Sequence, residues 1–487
     1  MDNEVNKLKV VSSLLWKGLE RAGTQGIQFV VQILLARLLL PDDFGIIALV
    51  LAFIAVANVF IQNGFNVSLI QKKEVSEADF SSVFYLSILI SVLLILILFF
   101  VAPLIAAFYG LPQITSVLRV LSLTLILGAF NSIQNAVIAR NMQFKKLFFS
   151  SLGAIIVSGT IGVTMAHKGF GVWALVVQQI TNQLLITGIL WFIVKWRPKL
   201  TFSISGLKGL FSFGWKLLVA SLIDTLYINL RSLIIGKIYN PAALGFYNRG
   251  EQFPSIIVSN IDGSIQSVML PALAYHQEDR QKVKKMVRRS ITTSSFIIFP
   301  MMIGLAAIAE PMVKILLTDK WLLSVPFLQI FCLAYAPYSI HTANLQAINA
   351  IGRSDIFLKL EVVKKAIGIV ILAISIFFGI YAIAAGMLLI STICFFINAY
   401  PNKSLLNYSY KEQWNDIFPS LLISFAMGLI VYSISFFRME TLFTLIVQVG
   451  AGAAIYISSA ILFKLKSYTY LITTLRDLLK DRKGEQK

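Results

Sequence analysis

The sequence predicts an all-α polytopic membrane protein of about 14 transmembrane helices, and three observations carry that prediction. Hydrophobic residues make up 57% of the 487 positions and charged residues 13%, whereas a soluble chain of this length needs about 25% charged residues to cover its surface. Apolar stretches of roughly 20 residues, enough to cross a bilayer, follow one another along the whole chain. Lys and Arg gather in alternate connections between these stretches. This composition excludes a soluble enzyme, a disordered scaffold and a collagen-like fibre. The net charge of +19 would suit nucleic acid, but its distribution reports orientation, so no nucleic-acid partner is expected.

In chain order the spans fall at approximately 15–38, 45–69, 80–106, 115–139, 147–166, 172–194, 215–237, 246–270, 290–317, 325–350, 365–380, 381–401, 416–437 and 442–463. Pro103, Pro254 and Pro300 lie inside spans, which packed membrane helices tolerate. Starting inside, the cytoplasmic regions are the N-terminus, the connections near 70–80, 140–146, 195–216, 271–290, 351–365 and 402–415, and the tail. They hold 31 of the 42 Lys and Arg, against 8 in the opposite connections. Both termini are therefore expected in the cytoplasm. Lys17, Glu20 and Arg21 interrupt the first apolar stretch and no A-x-A site follows, so no cleaved signal peptide is expected. Cys332 and Cys394 sit in apolar runs and read as buried thiols. Arg280–Arg289 reads as an amphipathic helix on an anionic cytoplasmic leaflet, as does the tail, with Tyr468, Leu471, Ile472, Leu475, Leu478 and Leu479 on one face.

The organisation contains an internal repeat. Leu34-Leu-Ala-Arg-Leu-Leu-Leu-Pro-Asp-Asp-Phe-Gly45 aligns without gaps to Ile234-Ile-Gly-Lys-Ile-Tyr-Asn-Pro-Ala-Ala-Leu-Gly245. Gly171-Val-Trp-Ala-Leu175, entering helix 6, is echoed by Gly379-Ile-Tyr-Ala-Ile383, entering helix 12. An even number of crossings separates the copies, which makes the repeat parallel, about an axis along the membrane normal. Residues 1–200 (helices 1–6) and 201–402 (helices 7–12) are then expected to form two lobes, with 403–463 as extra helices 13–14 and 464–487 as a cytoplasmic amphipathic tail.

Polar side chains in hydrocarbon are costly unless they face a bundle interior or a watery cavity, so they mark candidate pathways. Lys17, Arg21, Gln25, Gln28 and Gln32 fall within an arc of about 80° on helix 1. Helix 2 adds Asn58, Gln62 and Asn66, and helix 7 places Asp224, Tyr227 and Arg231 on one side. Gln178 with Asn182, Asn131 with Gln134 and Asn135, and His341 with Asn344 follow the same logic. For a single amide the plainer reading is an interhelical hydrogen bond. Together they suggest a cationic, amide-rich cavity suited to an anionic, hydroxyl-rich cargo.

Catalytic motifs are absent from the sequence: no Walker A, H-E-x-x-H or G-x-S-x-G occurs, and His167, His276 and His341 lack metal-ligand spacing. Neither a cofactor nor a metal is expected. Asp42-Asp43 reads as a turn after Pro41 rather than a catalytic pair.

Ala36-Arg-Leu-Leu-Leu-Pro-Asp-Asp-Phe-Gly45, following a polar first helix, resembles the opening of bacterial polysaccharide exporters and O-antigen-type flippases. These belong to the multidrug/oligosaccharidyl-lipid/polysaccharide exporter superfamily, and the resemblance points to its branch of lipopolysaccharide, colanic-acid and teichuronic-acid exporters. It extends along the chain in helix number, repeat and terminal helix pair. It implies a V-shaped pair of six-helix lobes alternating between inward- and outward-open states in the bacterial cytoplasmic membrane. The implied cargo is an undecaprenyl-diphosphate-linked oligosaccharide, with a polysaccharide polymerase and glycosyltransferases as associated partners. Under this resemblance Arg21 and Arg231 hold the diphosphate and Lys17 captures substrate from the inner leaflet. Gln25, Gln28 and Gln32, with Asn58 and Gln62, contact substrate, and Asp224 is a gate or ion-coupling carboxylate. Three readings stand beside it. A drug/cation antiporter of the same superfamily would need cavity carboxylates, for which helix 1 offers only Glu20. A membrane polymerase or glycosyltransferase would need a sizeable outer loop. A structural scaffold would not need a cationic stripe.

Overall fold

A chain segment in hydrocarbon must satisfy its own backbone N–H and C=O groups, so apolar runs of this length fold as helices. The computed structural model describes residues 7–62, 69, 75–437, 439–465, 467–473 and 476–477, and among them no strand occurs. Asn66, Arg438, Leu475, Leu478, Leu479 and residues 70–74 of the connection near 70–80 lie outside the described residues.

Packing divides the chain into two units, 1–245 and 246–487. The first contains α1 (Lys7–Leu38), α2 (Pro41–Gln62), α3 (Glu77–Tyr109), α4 (Gln113–Ser122), α5 (Thr124–Arg140), α6 (Phe144–His167), α7 (Val172–Ile193) and α8 (Ile204–Ile238). Here α1 lies against α6, α6 against α7, and α8 against α2 and α3. Next comes α9 (Pro241–Tyr275), whose first turn still belongs to the first unit. The second unit continues with α10 (Arg280–Ala307), α11 (Ala309–Leu317), α12 (Val325–Tyr335), α13 (Tyr338–Ala350), α14 (Ser354–Ser375), α15 (Ile380–Leu406), α16 (Tyr410–Ser433) and α17 (Thr441–Leu462). In it α16 packs on α10, and α15 on α12, α13 and α14.

By length and composition, 12 helical segments among the described residues can cross a membrane, and the chain is a multi-pass membrane protein. The other two expected spans are present as helices, α1 with 32 residues and α14 with 22. Charge sets them apart: Lys17, Glu20 and Arg21 interrupt α1, while Lys359, Glu361, Lys364 and Lys365 fill the first half of α14. The latter begins at Ser354, well before the expected 365, because its charged turns are helical too, with Lys364 and Glu361 paired at 2.6 Å. The expected span 290–317 is likewise divided between α10 and α11, and α10 takes in the whole of 280–289 as its first turns.

Both echoes of the repeat mark helix starts. Pro41 and Pro241 are the first residues of α2 and α9, where proline gives up no needed N–H. Asp43 Oδ2 accepts from the Leu40 N–H at 3.1 Å, and Asn240 Oδ1 from the Ala243 N–H at 2.7 Å. These bonds satisfy N-terminal donors and account for Asp43 without catalysis. Gly171 and Gly379, preceding α7 and α15, have φ of 53° and 101°, a conformation that side chains with a Cβ rarely adopt.

Candidate functional site

The first unit contains a cavity of about 480 Å³. Its polar lining comes from α1 (Lys17), α2 (Gln62), α5 (Asn131, Ser132, Asn135), α6 (Ser151) and α7 (Gln183), and Phe144, Leu147 and Ile186 are among its apolar walls. No Asp or Glu is among the described lining residues. Glycine lets the polar helices approach each other: a Cβ on Gly128 of α5 would stand 3.3 Å from Asn58 Oδ1 and 3.6 Å from Gln62 Nε2.

Asn131 is the most telling group in this cavity. It is 3% exposed, and both its amide nitrogen and its amide oxygen are buried without a hydrogen-bond partner. A buried amide left this way costs about 1–3 kcal/mol, so its retention calls for a ligand or water to complete it. Gln25 Oε1 and Asn58 Oδ1 are also buried and unpartnered. Lys17 supplies the charge. Its ammonium pairs with Glu20 at 3.2 Å and lies 5.4 Å from the Phe144 ring centroid, with half of the side chain exposed.

Of the site residues expected from sequence, the structure therefore brings Lys17 and Gln62 to one cavity, and the Asn58 and Gln62 amides both lie beside Gly128. Gln25, Gln28 and Gln32 are half-buried along α1, and Arg21 and Asp224 are exposed. Arg231 is half-buried, its guanidinium 5.6 Å from the Tyr227 ring. None of these six lines the cavity. Sequence reading grouped Asn131 and Asn135 as polar but did not select them, and it passed over Gln183. The amide run Gln178-Gln179 and Asn182-Gln183 was the available signal for the last.

In the second unit, Asn344 serves packing. Its amide exchanges hydrogen bonds with Gln413 at 2.8 and 3.0 Å and accepts one from Asn402 at 2.7 Å, and all three residues are fully buried. The triangle ties α13 to α15 and α16. His341 Nε2 lies 3.4 Å from Ser391 Oγ, whose hydroxyl donates to the Ala334 carbonyl.

The fold has counterparts among solved structures. The chain is similar to the solved structure of lipid II flippase MurJ in an inward closed conformation, at a TM-score of 0.74 and 16% identity, covering 95% of this chain and 100% of that one. It is also similar to an inward-facing multidrug resistance MATE family transporter of the MOP superfamily, at a TM-score of 0.59 and 13% identity, covering 80% and 96%. The family follows from the sequence: the model described as "Polysaccharide biosynthesis protein" matches residues 34–326, and the chain belongs to that family. Among curated relatives, the teichuronic acid biosynthesis protein TuaB of Bacillus subtilis (strain 168) is 25% identical over 417 residues, covering 82% of this chain and 84% of that protein. The lipopolysaccharide biosynthesis protein WzxC of Escherichia coli (strain K12) is 24% identical over 438 residues, covering 87% and 88%. The succinoglycan biosynthesis transport protein ExoT of Rhizobium meliloti (strain 1021) is 26% identical over 339 residues, covering 69% and 68%. The resemblance read from the Arg37–Gly45 motif is borne out.

Proposed function

We propose that this chain is a transporter, not an enzyme, and that it carries a lipid-diphosphate-linked oligosaccharide from the inner to the outer leaflet of a bacterial cytoplasmic membrane by alternating access. It crosses the membrane 14 times with both termini inside, α1 and α14 supplying the two charged spans. The cavity in the first unit carries the proposal: amides and hydroxyls line it, and the one charged group among the described lining residues is a lysine. Amides and hydroxyls both donate to and accept from sugar hydroxyls. An arriving diphosphate, bearing more charge than one carboxylate, displaces Glu20 from Lys17. Arg21 and Arg231 provide further anion contacts, Gln25, Gln28 and Gln32 contact sugar, and Asp224 acts as gate or coupling carboxylate. Relatives named for the biosynthesis or transport of three different polymeric saccharides support this reading. Glycosyltransferases act before it and a polymerase after it. A cation antiporter would need acidic groups at the cavity, and the described lining has none.

Reconstitution into liposomes tests the proposal. A fluorescent undecaprenyl-diphosphate oligosaccharide in the inner leaflet should become accessible to an impermeant quencher only when the protein is present. Protein-dependent efflux of ethidium without movement of the glycolipid would overturn it in favour of the antiporter.

A further inference from the structure

The cations at the start of α10 fall on two faces, and they are treated differently. On one face, Arg280, Lys284 and Arg288 are satisfied within the second unit. Arg280 donates to the Leu405 carbonyl at 2.5 Å, Lys284 pairs with Glu412 at 3.2 Å, and Arg288 with Asp416 at 2.6 Å. About 100° around the helix, Lys285 and Arg289 are exposed. Arg289 borders a cavity of about 390 Å³ whose walls include Val268 and Met269 of α9, Met286 of α10 and Tyr470 of the tail. The Tyr470 ring stacks on the guanidinium, its centroid 3.2 Å from Cζ. Stacking occupies the face of a guanidinium, whereas its hydrogen bonds are donated in the plane. Ser290 and Thr293 lie on the same wall, and Thr293 Oγ1 is buried without a hydrogen-bond partner.

We propose that this cavity is a binding site for one anionic phospholipid of the inner leaflet, separate from the saccharide cavity. The headgroup phosphate takes the in-plane N–H groups of Arg289 and the hydroxyls of Ser290 and Thr293. An acyl chain lies along Val268, Met269 and Met286, and Tyr470 holds the guanidinium plane in place. Two features argue for a lipid rather than a soluble anion: the walls are largely apolar, and the site lies beside helices long and apolar enough to cross a membrane. The leaflet assignment rests on the charge-based topology, but binding itself does not. Residues 467–470, the first described turn of the tail, thus pack on α10, with Ser467 donating to the Thr292 carbonyl at 3.2 Å and the Tyr468 ring 6.4 Å from that of Phe296.

The full chain, purified in detergent, would be incubated with phosphatidylglycerol or phosphatidylcholine and its retained lipid counted by native mass spectrometry. One phosphatidylglycerol per chain is expected, with phosphatidylcholine held about tenfold more weakly. Arg289→Gln should remove most of this preference and Arg289→Lys only part of it, while Lys282→Gln, paired with Asp279 elsewhere on the helix, should leave it intact. Should Arg289→Gln fail to fold, a photoreactive phosphatidylglycerol on the unaltered protein decides, by labelling peptides around Met286 and Tyr470. Equal retention of both lipids, or labelling elsewhere, would overturn the proposal. So would full protection of the site by inorganic phosphate, which would make it a simple anion site, or labelling by photoreactive undecaprenyl phosphate alone, which would assign it to the cargo.

Discussion

Gly45 lies directly against the carbonyl of Pro241: a Cβ on this glycine would stand 1.8 Å from that oxygen, and a Cβ on Gly245 would stand 2.2 Å from the carbonyl oxygen of Pro41. The two equivalent turns of the repeat therefore make the same backbone contact in both directions. A backbone oxygen cannot rotate away as a side chain can, so Gly45→Ala and Gly245→Ala should each destabilise the protein by about 1–3 kcal/mol. Thermal midpoints by fluorescence-detected chromatography would measure this. Gly153→Ala, with open space around it, should be neutral. The same proximity predicts that cysteines at Asp43 and Ala243 cross-link, and that the cross-link blocks glycan export.

The unpartnered amide of Asn131 separates function from stability. Asn131→Leu removes two unsatisfied polar atoms from a buried position, so the variant should be as stable as the parent or more so. Export should nevertheless fall by at least about tenfold, if those atoms bind sugar. Unchanged export with unchanged stability would assign Asn131 to packing alone.

Along α1 the expectation is graded. Arg21→Ala should abolish export while leaving the protein inserted, since it removes a cation but improves helix propensity. Arg21→Lys should keep part of the activity, having the charge without the planar fork. Lys17→Gln should raise the glycolipid concentration needed for half-maximal flipping. Normal surface glycan from Arg21→Ala in a strain with no other exporter would remove Arg21 from the mechanism.

The pair Arg288–Asp416 should behave as a clamp between α10 and α16. The Asp416 side chain is only 10% exposed and also accepts from the Tyr408 hydroxyl at 2.8 Å. Arg288→Ala should therefore cost about 1–3 kcal/mol, because it leaves a mostly buried carboxylate short of its counter-charge. The exchange Arg288→Asp with Asp416→Arg should recover part of that loss relative to the sum of the single changes, as read from a double-mutant cycle of thermal midpoints.

Topology can be checked independently. In intact cells an impermeant thiol reagent should label a cysteine at Asp43 and leave one at Lys403 unlabelled until the membrane is opened. The reverse pattern would invert the protein.

The sequence by itself determined the class of protein, its apolar spans, the charge asymmetry from which an orientation is proposed and the repeat linking Pro41–Gly45 to Pro241–Gly245. These are local properties: hydropathy is summed over one helix, and Pro and Gly act through their own backbone angles. The polar face of α1 was legible for the same reason, but sequence reading singled out Arg21 and Arg231 to hold the anion, whereas the charged group among the described residues that line the cavity is Lys17. Tertiary structure decided which polar groups meet. Gln62, Asn131, Asn135 and Gln183 belong to three helices whose convergence no single-helix periodicity encodes. Asn344 carried the same signal as Asn131 in the sequence, yet Gln413, 69 residues away, and Asn402 complete its amide, so it ties helices together. The basic run at 280–289 likewise read as one charged face until α16 neutralised one side of it and left Arg289 on the other. An amide or a cation has the same intrinsic chemistry in either setting, and whether it binds a ligand or a neighbouring helix depends on which partner the fold brings within about 3 Å.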